Sequence, residues 1–230
     1  MPREAFDREL QKLQDEVLVL GRMVERAIMG SVQALKQHDR EAARRLIAGD
    51  RAINDKRFSI ESDSLALIAT QQPLASDLRV IATVLEIATE LERMGDYAKS
   101  TAKLTLMMSD QPSAETLEPI SRMDEKARHM LAQALEAFMR RDATLARTMP
   151  IQDDEIDALH NQVYRELLSL TTTDADAIDQ ATQLLWVVHN LERVADRAVN
   201  ICERVVFTVT GEMVEMEVDN GERPGMAGVL

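Results

Sequence analysis

Two six-residue stretches carry acidic side chains in the same arrangement, Leu91-Glu92-Arg93-Met94-Gly95-Asp96 and Leu191-Glu192-Arg193-Val194-Ala195-Asp196. On a helix each Glu lies four residues from its Asp, on the same face and about one turn away. Like charges so placed repel weakly at a solvated surface, but a buried or concave face needs a cation, a base or a proton to hold them. The second copy is extended. Glu192, Asp196, Asn200 and Glu203 follow the spacing of a single helical face and form an all-oxygen stripe. Asp153 and Asp157 make a second stripe, with Asp154, His160 and Asn161 close by. Oxygen donors of this kind suit Mg, Mn, Ca or Fe, and carboxylates also serve Zn.

The first half is poorer in such groups. Glu92 and Asp96 are followed by Ser100 and Lys103 where the second copy has Asn200 and Glu203, and Asn54 stands at the position of Asp157, although Asp50 matches Asp153. If metal binds, the second half is expected to bind it better. A solvated face also produces acidic pairs at this spacing, with Arg93 and Arg193 as salt-bridge neighbours. Recurrence of the block in corresponding helices argues for a built site, and the residues alone leave both readings open. The four histidines lack the paired Glu-x-x-His motifs of ferritin-like di-metal enzymes, and only Asp157-x-x-His160 comes near. His189 reads as a packing or hydrogen-bonding residue, Trp186 as a core or interface residue, and Cys202 as a small buried hydrophobe rather than a nucleophile. There is no Gly-rich phosphate loop and no Ser/His/Asp order to support an enzyme.

These side chains need helices to hold them, and the composition supplies helices. Ala, Leu, Glu, Arg and Met abound, aromatics make up 3 %, and Gly and Pro are scarce before the tail. The fold class expected is all-α. Apolar periodicity places helices at roughly 4–37, 39–70 and 74–108, then 113–140, 142–170 and 175–209. Asp39 reads as an N-cap, Gly49-Asp50 as a bend, Pro150 as a kink or local break in the fifth helix, 109–113 as a linker, and 211–230 as a frayed or disordered tail. Asp39 matches Asp142 and Ile53 matches Ile156 at an offset of 103, which falls to 100 at the Leu-Glu-Arg blocks. The chain therefore reads as two three-helix repeats, 1–108 and 114–210, the second shortened in the turn Thr171 to Asp174.

A net charge of −13 argues against duplex nucleic acid as a partner, although a local basic patch is compatible with it. Apolar runs fall far short of the roughly 18 residues a spanning helix requires, so any membrane association goes through partners. The N-terminus does not resemble a signal peptide and one cysteine allows no intramolecular disulfide, which points to a cytoplasmic protein.

Gln72-Pro73-Leu74-Ala75-Ser76-Asp77-Leu78-Arg79, Leu91 to Ala98, and Asn190 to Glu203 together resemble the PhoU family of phosphate-transport accessory proteins. The resemblance covers about residues 5 to 211 and includes the two-repeat layout. It implies a pair of three-helix bundles without enzymatic turnover, forming a homodimer and binding divalent or trivalent metal ions (Fe, Zn, Mn or Mg) through Glu/Asp-x-x-x-Asp motifs. The implied ligands are Glu92, Asp96, Glu192 and Asp196, supported by Asp50, Asp153 and Asp157, with Asn200 and Glu203 completing the second motif. The implied partners are the ATPase subunit of a phosphate ABC transporter and a phosphate-sensing histidine kinase, with repression of the phosphate-starvation regulon as the output. Ala195 in place of a usual glycine and Cys202 in place of a usual alanine are small departures. A carboxylate-bridged di-metal oxidase and a metal-free helical adaptor are the competing readings.

Overall fold

The computed structural model of the chain describes residues 2–171 and 178–216. Seven helices carry nearly all of it: α1 Pro2–Gln37, α2 Arg40–Gln71, α3 Ala75–Met107, α4 Ala114–Arg140, α5 Ala143–Ala146, α6 Met149–Thr171 and α7 Ile178–Thr210. Among the described residues there are no strands. The apolar spacing of α1 is that of a half-buried helix, and Leu10, Leu13, Val17, Leu20, Val24 and Ile28 all lie in the core.

The internal repeat extends to the chemistry of the turns. His38 and Arg141, 103 residues apart, both adopt left-handed backbone (φ 49° and 51°), which few residues other than Gly and Asn favour. In each copy the next amide returns to the preceding helix: Asp39 N–H donates to the Ala34 carbonyl and Asp142 N–H to that of Ala137, both at 2.9 Å. Each Asp then caps the following helix, Asp39 accepting from Glu41 and Ala42, Asp142 from Thr144 and Leu145. Two orphan amides of each helix start are satisfied in this way.

The two copies diverge past the cap. α2 runs unbroken through Gly49 and Asp50, so the expected bend there is absent: a glycine weakens a helix without breaking it. The matching segment breaks at Arg147–Thr148, and Pro150 sits in the first turn of α6, where its missing N–H costs least. The tail also departs from expectation. Residues 211–216 are not helical, yet the Met216 amide donates to Glu203 at 2.8 Å and Val214 packs against the core. The rest of the expected frayed tail and the proposed deletion site at 172–174 lie outside the described residues.

The repeats are not independent bundles. One apolar core runs through both, and α3 packs antiparallel against α7 along most of its length. The polar seam of that pair begins at Thr83–Thr208 (Oγ1 to Oγ1, 2.7 Å) and ends at Asn190 Nδ2, which donates to Thr101 at 3.3 Å. At its centre the buried Glu90 carboxylate accepts from Arg197 (3.2 Å), Asn200 (3.1 Å) and Arg93 (3.0 Å). Replacing Arg197 by Met leaves that carboxylate short of its best-buried partner. The expected loss is about 2–3 kcal/mol in urea unfolding, and most of it should return in Glu90→Gln/Arg197→Met, where no charge remains to bury.

Candidate metal centre

α6 and α7 bring the second-half acids together. Asp153, Asp157 and His160 lie on one face of α6, at i, i+4 and i+7. His189, Glu192 and Asp196 line the facing side of α7, spaced i, i+3 and i+7. One ligand atom from each of His160, His189 and Glu192 lies within 4.8 Å of the other two. A single cation could therefore touch all three. Glu192 Oε2 sits 3.0 Å from His189 Nδ1, a close contact that is not a hydrogen bond, and Asp153 Oδ1 is likewise buried without a hydrogen-bond partner. Arg193 reaches Asp196 at 3.5 Å and also donates to the Tyr97 hydroxyl at 3.4 Å.

The electrostatics are those of a site short of positive charge. Burial, then the charges of Asp196, Asp157, Asp154 and Glu192, pushes the Asp153 carboxyl up to about 7. Burial and Asp196 raise Glu192 as well, opposed by His189 and His160. Buried carboxylate oxygens lacking donors, beside two imidazoles and further carboxylates, are the donor set expected for Fe, Zn or Mn. The residues present fit such an ion: His160, His189 and Glu192 would hold it, with the carboxylates of Asp153, Asp157 and Asp196 close by in the same cluster.

The rest of the long stripe belongs elsewhere. Asn200 is occupied by Glu90, and Glu203 accepts the Met216 amide, each away from the α6–α7 cluster. His189 proves exposed beside Glu192 rather than packed, and Trp186, 57 % exposed with its ring centroid 5.9 Å from that of His189, is not a core residue. The histidines were legible as a mirrored signal, since His160 follows Asp157 by three residues and His189 precedes Glu192 by three. Neither pair is a Glu-x-x-His motif. Cys202 is fully buried and its thiol is pushed up to about 12 by that burial, as befits a core residue.

The first-half acids also converge, but around built-in cations. Buried Asp50 accepts from Lys99 Nζ at 2.6 Å and from Asn54 Nδ2 at 3.1 Å, and Lys99 lies 3.7 Å from Asp96. Glu92 is raised by burial and by Asp96, with Arg57 the largest opposing charge. Under the repeat correspondence Lys99 stands where Val199 stands in the second half, and Arg57 where His160 stands. One repeat thus supplies an ammonium and a guanidinium where the other presents an aliphatic side chain and an imidazole.

An all-α double repeat with a carboxylate–histidine cluster between the second and third long helices of one copy defines a helical scaffold with a candidate metal centre. The PhoU domain model matches residues 17–105 and again 120–205, and the chain belongs to the PhoU family, whose members are accessory proteins rather than enzymes. It is 35 % identical over 217 residues to the PhoU homologue of Clostridium acetobutylicum, covering 94 % of this chain and 99 % of that protein. It is 34 % identical to the Rhizobium meliloti homologue, covering 96 % and 91 %. Both are described as phosphate-specific transport system accessory proteins. The crystal structure of the phosphate transport system regulatory protein PhoU from Streptococcus pneumoniae superposes with a TM-score of 0.85 at 35 % identity, covering 91 % of this chain and 99 % of that one. That of PhoU from Pseudomonas aeruginosa gives 0.84 at 30 % identity, covering 90 % and 100 %.

Proposed function

We propose that this chain is a regulatory accessory of phosphate transport: a cytoplasmic, metal-binding adaptor that links the ATPase subunit of a phosphate transporter to a phosphate-sensing histidine kinase and restrains the starvation response. The role in phosphate transport rests on family membership and on the relatives' descriptions. The metal rests on one observation, the α6–α7 cluster in which buried oxygens of Asp153 and Glu192 lack donors beside two histidines. No helix among the described residues is long and apolar enough to cross a membrane, so contact with the transporter would be made through its soluble parts. Homodimer formation is part of the proposal and extends the rigid docking area of the long helices.

Elemental analysis of the purified protein beside Glu192→Ala/Asp196→Ala is the first test. We expect bound transition metal in the parent and at least a tenfold loss of affinity in the variant, as removal of two charged donors implies. The single tryptophan, Trp186, reads occupancy independently, because its ring abuts His189. Its emission should change saturably on metal addition and not in the variant. Sub-stoichiometric metal in both proteins would sink the metal claim and favour the metal-free adaptor. The regulatory claim has a separate test: deleting the gene should raise phosphate-regulon expression in phosphate-rich medium, and unchanged expression would count against it.

A further inference from the structure

The first repeat contains a cavity that its counterpart fills. A space of about 500 Å³ opens between α1, α2 and α3 of the first repeat, within the size range of small-molecule sites. Its walls are mostly apolar and small, and its inner end is the Asp50–Lys99 ion pair.

The repeat correspondence shows how the space arises. Gly30 on α1 and Gly49 on α2 face it, and a Cβ built on Gly49 would meet nothing within 4 Å. The second repeat has Gln133 and Gln152 at these positions, and the two amides join α4 to α6 through a hydrogen bond of 2.6 Å. Ala27 and Leu46 likewise correspond to Met130 and Met149, which are fully buried. Two glycines and an alanine in one copy thus leave open the volume that a glutamine pair and Met130 occupy in the other, Leu46 and Met149 being nearly equal in size. Gly49 is also costly in a helix interior, and the open space around it would admit a longer side chain.

Charge narrows what would enter. In a chain of net charge −13, the cavity is lined by Arg26, Arg45 and Lys99 against the single carboxylate of Asp50, which Lys99 already neutralises. Arg26, whose Nε donates to the Arg22 carbonyl at 3.1 Å, and Arg45 are exposed at its edge, where their guanidiniums can meet a ligand's charged end while its apolar body lies along the Ala and Gly wall. Neither arginine corresponds to a strong base in the second repeat, where His129 and Thr148 stand. We infer that this cavity is a binding site for a small amphipathic organic anion, an apolar body bearing one carboxylate, sulfonate or phosphate group. It is separate from the α6–α7 centre, and its test does not depend on metal.

The probe is 8-anilinonaphthalene-1-sulfonate, an apolar aromatic anion whose emission rises on leaving water. Titration into the full chain should show one saturable site. Gly30→Gln/Gly49→Gln, which installs the second repeat's own residues, should abolish it, and Gly49→Gln alone should weaken it. Both variants should keep the parent's far-ultraviolet circular dichroism. Arg26→Gln and Arg45→Gln should each weaken binding by up to about fivefold, in line with exposed ion pairs. Decanoate should displace the dye from the parent and decanol should not. Equal binding by the filled double variant would overturn the inference, since the dye would then be sitting elsewhere. Equal displacement by the alcohol would overturn it too, by showing an apolar groove with no anion selectivity, of the kind a partner's helix covers.

Discussion

Truncating Lys99 to Ala is expected to destabilise the fold by about 2 kcal/mol and to make the variant newly responsive to divalent cations. The first effect follows from Asp50, 6 % exposed, whose Oδ2 is held by Lys99 at 2.6 Å. Removing one partner of a buried pair leaves a charge that the interior cannot solvate, typically at about 3–5 kcal/mol. Asn54 still donates to Asp50 at 3.1 Å and Lys99 is itself partly exposed, which brings the loss below that range, to about 2 kcal/mol. Asp50→Asn/Lys99→Met should recover most of the stability, because it removes the charge along with its partner. The second effect follows from what stays behind: Asp50, Glu92 and Asp96 without their ammonium, and with Glu92 already raised by burial and by Asp96. Millimolar Mn²⁺ should then raise the urea midpoint of Lys99→Ala more than that of Lys99→Ala/Glu92→Gln/Asp96→Asn. Equal responses would mean that the lysine fills no cation site and merely packs.

Most of the fold was legible because its determinants are local. The apolar stripe of α1, the Asp39 and Asp142 caps and the offset repeat are written in consecutive residues, and the structure reproduces the expected helix ends to within about three residues, with the expected fifth helix broken at Arg147–Thr148. What was not legible is tertiary. The α3–α7 pairing puts Glu90 at its polar centre, and Glu90 carries no signature in the sequence until Arg197 and Asn200 close on it from 107 and 110 residues away. Residues 211–216 show the same limit: their composition lacks periodicity, yet the Met216 amide donates to Glu203 and Val214 and Met216 pack against the core.

The site divides along the same line. Spacing within one helix puts Glu192 with Asp196 and Asp153 with Asp157, and the charges of Asp157, Glu192 and Asp196 acting on Asp153 place the two stripes side by side. Extending the stripe to Asn200 and Glu203 applied the helical period over eleven residues, where each further turn moves the side chain along the axis. Those two side chains face the α3 seam and the tail instead. The histidines carry no single-helix motif, because His160 and His189 come from two helices. Convergence across helices is a property of packing, and only the fold displays it.

In the metal-free protein, stability is expected to fall as pH rises from about 4 to about 7, opposite to the usual acid lability of paired carboxylates. Asp153, its carboxyl pushed up to about 7 by burial and by Asp196, Asp157, Asp154 and Glu192, ordinarily titrates at 3.8. Between these values the folded chain holds a proton that the unfolded chain has released, so each step upward in pH favours unfolding. The whole displacement would carry about 4 kcal/mol; solvent still reaches the group, and about 2 kcal/mol is the reasonable expectation. Glu192 is raised as well and adds to the slope in the same direction. Asp153→Asn, neutral at every pH, should therefore flatten the profile by about half, and be more stable than the parent near pH 7.5 in chelator. A bound divalent cation takes the place of the proton. Saturating metal should remove the slope in the parent, and binding near pH 6.5 should release a proton measurable as a buffer-dependent heat in calorimetry. Urea midpoints at pH 5 and 7.5, with and without chelator, decide the matter. A profile that is the same in the parent and in Asp153→Asn would show that the carboxylates are solvated well enough to need neither proton nor metal.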